Sequence, residues 1–263
     1  MNTSGDRIKD YHLGVVILAA GKGTRMKSEQ AKVLHSVCGQ PMLFYSILLA
    51  RNVMAEKIIV VVGHQSDVVQ EKFRDEDLIF VEQREQLGTG HAVMQARRQF
   101  EDFAGNILIL CGDVPLLSVE TISNLLGRHI KEKAVITVLT ATLDNPFGYG
   151  RIVKTPAGEV IKIVEERDAS DVEKMIKEFN SGIYCVESQF LFEAVSEIKN
   201  NNVQKEYYLT DIIEIACKRG LSVRSVMVDD AEEIMGINTP EDLQRAEDRM
   251  IKISREGVYQ KAL

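Results

Sequence analysis

The stretch GVVILAAGKGTRM, Gly14 to Met26, runs from an apolar strand directly into a loop of small and cationic residues. A strand without polar alternation is apolar on both faces and has to be covered on both, as strands of parallel sheets are. The loop then lies at the carboxyl edge of the sheet, where such sheets bind ligands. Ala19, Ala20, Gly21 and Gly23 let backbone N–H groups approach a ligand closely, and Arg25 can fork onto phosphate oxygens. Two familiar glycine motifs are excluded. A dinucleotide GxGxxG needs glycine where Met26 stands, and a P-loop needs serine or threonine after Gly21-Lys22, where Gly23 stands. A lone GxG also fits a plain strand-to-helix turn; the cations Lys22, Arg25, Lys27 and Lys32, set against Glu29 alone, favour a phosphate-binding loop.

Outward from this stretch, short β-branched runs recur at Ile58 to Val62, Ile107 to Leu110 and Ala134 to Leu143. Amphipathic stretches at Pro41 to Met54, Ser66 to Phe73, Gly90 to Phe103 and Ser118 to Ile130 separate them. Strands alternating with helices predict an α/β fold with a mostly parallel sheet and helices on both faces. From about Tyr149 the strands become shorter and alternating (RIVKT, EVIKIVEE, GIYCVE), with the turn signal TPAG between the first two, which predicts an inserted antiparallel ribbon that serves as a substrate flap. A helix at Thr210 to Lys218, a strand at Leu221 to Val228 and a last helix complete the pattern. The last helix takes Thr239 as N-cap, Pro240 at its first position and Glu241 and Asp242 in its first turn. No low-complexity linker or repeat interrupts the chain, so one domain is expected over residues 12–254, between tails 1–11 and 255–263.

Composition narrows the function classes. The 263 residues suffice for a sizeable core. A net charge of −7 argues against a nucleic-acid partner, whose phosphates demand many cations. The N-terminal MNTSGDRIKDYHLG lacks the apolar core of a signal peptide, and no run approaches the roughly 18–20 apolar residues of a membrane span; a cytoplasmic location is the expectation. Cys38, Cys111, Cys185 and Cys217 lie far apart, without CxxC or metal spacing, and read as reduced core residues.

Asp113, in ILILCGD, follows a buried strand at the edge that carries the glycine loop. A carboxylate there suits Mg²⁺, which takes one or two protein oxygens plus substrate phosphates; a turn aspartate before Val114-Pro115 is the plainer alternative. Several segments then become specific together: LAAGKGTRM, AKVLH, EQLGTGHA, GDVPLL, GYGRIV, IVEERDA, FNSGIY, EYYLTDI and GIN. In this order, from about residue 14 to 250, the chain resembles the uridyltransferase domain of bacterial N-acetylglucosamine-1-phosphate uridyltransferases.

The resemblance implies a Rossmann-like nucleotidyltransferase (sugar pyrophosphorylase) fold, with the antiparallel ribbon binding the sugar. It implies UTP and N-acetylglucosamine 1-phosphate as substrates, with Mg²⁺. Leu18, Ala19, Ala20 and Gly21 would approach the nucleotide, with Arg25 and Lys32 on its triphosphate. Gln83, Gly88 and Thr89 match the uracil-reading segment, although an amide also serves thymine or cytosine. Asp113 and Asn238 match the metal ligands. Gly150, Glu165 and Asn180 match the sugar and N-acetyl positions, with Tyr208 and Thr210 close by. His35 and His91 are read as packed or capping residues. The alternatives are another nucleotide or sugar, or a nucleotide-sugar sensor without catalysis. Thymidylyltransferases usually space the loop arginine and lysine further apart than Arg25 and Lys32, and cytidylyltransferases lack the LGTGHA segment. Ala31 stands where the family usually has proline, Cys111 where an aromatic or other residue is common, and Lys205 where a small residue often lies. Family members usually continue into a β-helix acetyltransferase that typically trimerises; the present sequence stops at Leu263, so acetyl transfer is not expected and the oligomeric state is left open.

Overall fold

The computed structural model describes residues 11–74 and 76–255. The strands are β1 (Leu13–Ala19), β2 (Ser36–Val37), β3 (Gln40–Pro41), β4 (Lys57–Val62), β5 (Ile79–Glu82), β6 (Asn106–Cys111), β7 (Ile136–Thr142), β8 (Arg151–Lys154), β9 (Val160–Val164), β10 (Glu178–Glu187) and β11 (Val223–Met227). The helices are α1 (Met42–Asn52), α2 (Ser66–Lys72), α3 (Thr89–Gln95), α4 (Val119–Lys131), α5 (Asp171–Lys174), α6 (Ser188–Glu197), α7 (Asp211–Lys218) and α8 (Pro240–Arg255).

The main sheet runs β11-β7-β10-β6-β1-β4-β5, with β8 attached to β10 and β9 to β8. β1 pairs in parallel with β4 and β6, β4 with β5, and β7 with β11. The apolar runs are buried on both faces because helices cover both. Val15 and Ile17 of β1 pack with Leu43 and Ile47 of α1, Val69 of α2 and Leu125 of α4. Val16, on the opposite face, packs with Val93 of α3, Leu191 of α6 and Ile212 of α7.

The GIYCVE segment departs from expectation. Only β8 and β9 form the hairpin ribbon; β10 is a central strand, antiparallel between β6 and β7. Its faces explain why: Ile183 and Cys185 pack in one layer and Tyr184 and Val186 in the other, so the strand needs cover on both sides. A register shift between Asn180 and Tyr184, with Gly182 at φ 80°, breaks the two-residue period that the sequence pattern relied on.

Other boundaries moved less. The helix expected through Phe103 ends at Gln95 and continues as a 3₁₀ turn over Arg97–Phe100. β5 and α6 fall where no element was predicted. The start of α8 is as read: Thr239 Oγ1 accepts from Asp242 N at 3.1 Å, and the Asp242 carboxylate accepts from Asn238 N and Thr239 N. The cysteines are free, but only Cys185 is buried. Cys38 is exposed in the β2–β3 turn with Gly39, where its N–H donates to Glu247 Oε1 of α8 at 3.0 Å. Of the expected tails, residues 1–10 and 256–263 lie outside the described residues.

Candidate active site

The carboxyl ends of β1, β5 and β6 open onto a cavity of ≈ 300 Å³. Leu18, Ala19, Ala20, Gly21, Gln83, Gly88 and Thr89 all line it, with Lys32 and Asp113. A Cβ on Gly21 would meet nothing within 4 Å, so the loop faces open space there. Gly23 serves a different purpose: its φ is 61°, and a Cβ would come 2.5 Å from Lys32 Cβ. Glycine therefore lets the loop close over the Lys32 stem. Gln65 braces the same turn, accepting from Ala31 N at 2.7 Å and donating to Glu29 O at 2.8 Å. A proline at position 31 would lack that N–H, so Ala31 and Gln65 form a consistent pair.

The cationic side chains divide into two groups. Lys22 and Lys27 remain exposed, whereas Arg25 and Lys32 reach the opposite wall. Lys32 Nζ forms an ion pair with Asp113 Oδ2 and donates to Asn238 Oδ1 at 2.7 Å; Arg25 Nη2 donates to the same Asn238 oxygen at 2.9 Å. Two backbone links bring these distant residues together. Gly112 N donates to Leu18 O at 2.9 Å and Ile237 N to Asp113 O at 2.9 Å. Asn238 Nδ2 is held by Gly236 O at 2.9 Å, which aims the amide oxygen at the cations.

This arrangement suits a divalent cation. Asp113 and Asn238 present one carboxylate and one amide oxygen to a single point, at which the Lys32 ammonium sits. Among the described residues no cluster of three or more His, Cys, Asp or Glu side chains is able to hold a metal. Mg²⁺ does not require one, since it is commonly bound through one or two protein oxygens, phosphates and waters.

A second cavity of ≈ 330 Å³ is lined by Glu165, Asp168, Tyr208 and Thr210. Thr210 Oγ1 donates to Glu165 Oε1 at 3.1 Å. A Cβ on Gly150 would lie 2.9 Å from Ile163 Cγ2, 3.5 Å from Glu165 Oε2 and 3.6 Å from Asn180 Cβ, so these three residues sit side by side. The bulge in β10 turns Asn180, whose Oδ1 accepts from Gly182 N at 3.1 Å. Tyr208 is less directly joined to this group, because its hydroxyl donates to Asp168 Oδ2 at 3.0 Å. Burial raises the Glu165 carboxyl above the usual range; the Thr210 hydrogen bond opposes this, and Asp211, Asp168 and Glu206 add to it. The segment 206–210 connects the two cavities, with Glu206 lining the first and Tyr208 and Thr210 the second, and it is tied to the start of α3. Thr89 Oγ1 accepts from Leu209 N at 3.1 Å, and Gly90 N donates to Tyr207 O at 2.8 Å.

Three residues at the site escaped sequence reasoning. Gln86 lines the first cavity and donates to Ala20 O at 2.8 Å. Glu206 lines the same cavity from the far side. The Tyr149 phenol is pushed up to about 12 by burial first and then by Asp113 and Asp242. Its place beside Asp113 follows from the GYGRIV hairpin, whose glycines had drawn attention instead. Of the remaining departures, Cys111 lines the cleft with its thiol pushed up to about 12, mainly by burial, and Lys205 is exposed at φ 57°.

The model of the nucleotidyl transferase family matches residues 14–250, and the chain belongs to that family. Three of its relatives carry one name. The chain is 50% identical over 242 residues to the Bifunctional protein GlmU of Geotalea daltonii, covering 92% of this chain and 53% of that one. It is 48% identical over 239 residues to the protein of that name from Syntrophotalea carbinolica, covering 91% and 51%. For Desulfotalea psychrophila the identity is 43% over 242 residues, covering 92% and 71%. The chain thus spans about half the length of most of the curated relatives it matches. Among the described residues no helix is long and apolar enough to cross a membrane.

Proposed function

We propose that this chain transfers UMP from UTP to N-acetyl-α-D-glucosamine 1-phosphate, giving UDP-N-acetylglucosamine and pyrophosphate. The observation that carries the reading is the convergence of Arg25, Lys32, Asp113 and Asn238 on one point of the cleft, in a chain of the nucleotidyl transferase family. The acting unit is one domain over residues 12–254, working in the cytoplasm on small phosphorylated substrates rather than on nucleic acid or membrane.

A phosphate oxygen of the sugar 1-phosphate attacks the α-phosphorus of UTP in line, and the bond to the bridging oxygen of pyrophosphate breaks. The nucleophile is already ionised at neutral pH, so the protein supplies position and charge rather than acid–base chemistry. Leu18, Ala19, Ala20 and Gly21 face the nucleotide, and Gln83, Gly88 and Thr89 face the base. Arg25 and Lys32 neutralise the triphosphate. Gly150 leaves room for the sugar between Glu165 and Asn180, whose polar atoms meet its hydroxyl and N-acetyl groups, with Tyr208 and Thr210 behind them. Asp113 and Asn238 would hold Mg²⁺, which when bound withdraws charge from the phosphates.

The test is Mg²⁺-dependent pyrophosphate release by the purified chain with each of the four NTPs and N-acetylglucosamine 1-phosphate. UTP is expected to be strongly preferred. Arg25→Ala and Asp113→Asn should each lower turnover by roughly 10²–10³-fold with unchanged circular dichroism. Near-normal turnover in either variant, or preference for another NTP or another sugar 1-phosphate, would overturn the assignment.

A further inference from the structure

Gln83 by itself leaves the base open, because an amide can present either a carbonyl or an NH₂ group. The fold removes that ambiguity through Gly88 and His91 together. Gln83 is 4% exposed and lines the nucleotide cleft. Its Nε2 lies 3.0 Å from Gly88 O and 3.1 Å from His91 Nδ1. A backbone carbonyl only accepts, so the end of the amide that meets Gly88 has to be the NH₂ group. The same NH₂ meets His91 Nδ1, and its two protons serve both neighbours only if Nδ1 carries none. Gln83 Oε1 then accepts from no described residue and is the atom left for a ligand.

The opposite arrangement is unfavourable. With a proton on Nδ1, two donors would face each other, and turning the amide would set Oε1 against the Gly88 carbonyl oxygen. The imidazole proton therefore belongs on Nε2, 3.1 Å from Gln95 Nε2. Gln95 Nε2 also donates to His91 O at 3.0 Å. A proton on Nε2 leaves Gln95 able to keep only one of its two contacts, because an NH₂ group that stays on His91 O faces the Nε2 proton and a carbonyl turned to Nε2 faces His91 O. Gln95 is partly buried, so water replaces the contact it gives up, whereas Gln83 is almost fully buried and a lost contact there stays unpaired; Gln83 therefore fixes the tautomer.

We propose that His91 is a positioning residue that holds Gln83 as a hydrogen-bond acceptor and so selects a base whose ring nitrogen donates. Uracil and thymine offer that N–H; cytosine offers a lone pair at the same ring position. This rests on the reading that Gln83 meets the base. It makes His91 part of nucleotide choice although it lies behind the residue that reads the base.

Kinetics with UTP and CTP test the idea in the wild type, Gln83→Ala, His91→Phe and His91→Asn, whose side-chain oxygen can take the place of Nδ1 as acceptor. His91→Phe should lower the UTP/CTP ratio of kcat/KM by about tenfold, the kinetic equivalent of one hydrogen bond, with KM for the sugar phosphate within about twofold. His91→Asn should keep most of the ratio. A collapsed ratio in Gln83→Ala with an intact one in His91→Phe would overturn the role of His91 alone. An intact ratio in Gln83→Ala would overturn the base-reading assignment, and the role of His91 with it. Should His91→Phe not fold, two-bond ¹H–¹⁵N correlation of the wild-type imidazole decides the matter. A proton on Nδ1 refutes the proposal whatever the kinetics.

Discussion

Replacing Gly88 by alanine would test how the two halves of the cleft are joined. Gly88 has φ 105° and ψ 176°, a conformation open almost only to glycine, and forcing another residue into it costs on the order of 1–3 kcal/mol. The added Cβ would also lie 2.7 Å from Tyr207 O and 2.9 Å from Tyr207 N and Glu206 Cβ. Ordinary contact requires the 206–207 backbone to retreat by roughly 0.7 Å or more. That backbone is tied on both sides, by Tyr207 N to Leu87 O at 2.7 Å and by Gly90 N to Tyr207 O at 2.8 Å. Stretching two such bonds loses about 1 kcal/mol each, so the total destabilisation comes to roughly 3–5 kcal/mol. In a chain of this length that lowers Tm by roughly 6–10 °C. Thermal denaturation by circular dichroism, repeated in urea with the slope unchanged, measures it. KM for UTP should rise as well, because Gln83 donates to Gly88 O and Thr89 follows directly. A Tm within about 2 °C of wild type would refute the reasoning, since neither the strained backbone nor the close approach would then be real.

Two further outcomes concern stability. His129 is buried between Thr137 Oγ1 and Asn106 Oδ1, and burial lowers its pKa to about 4. The unfolded chain takes up this proton near pH 6.5 while the native state does not, so stability is fully present above that pH and is lost as pH falls towards 4, by at most about 3 kcal/mol. His129→Gln should flatten this part of the pH profile in urea titrations; an unchanged slope between pH 6.5 and 4 would contradict it. Cys38 and Gly39, at φ 47° and 86°, form the two-residue turn between β2 and β3, where asparagine followed by glycine is preferred. Cys38→Asn should stabilise the chain by roughly 0.5–1 kcal/mol, and a lower urea midpoint would count against that reading.

What the sequence determined was local in origin. The double-sided apolar runs identified β1, β4 and β6 as buried parallel strands, and Thr239-Pro240 with Asp242 marked the start of α8, because period and caps act over a few residues. The GIYCVE strand was assigned to the ribbon for the same reason. Its alternation reads as a half-exposed strand, and only packing by helices on both faces made β10 central. Among candidate site residues, the glycine loop, Arg25, Lys32 and Asp113 were legible from charge, spacing and place at a strand end, and the others from resemblance.

The tertiary structure decided which of them meet. Lys32 lies 81 residues from Asp113 and 206 from Asn238, and no local rule joins them. They meet because parallel strands bring their carboxyl ends to one edge and Ile237 N bonds to Asp113 O. The direction of the Gln83 amide was likewise settled by Gly88 and His91 in space, since hydrogen bonds between side chains depend on ångström distances that residue order does not encode.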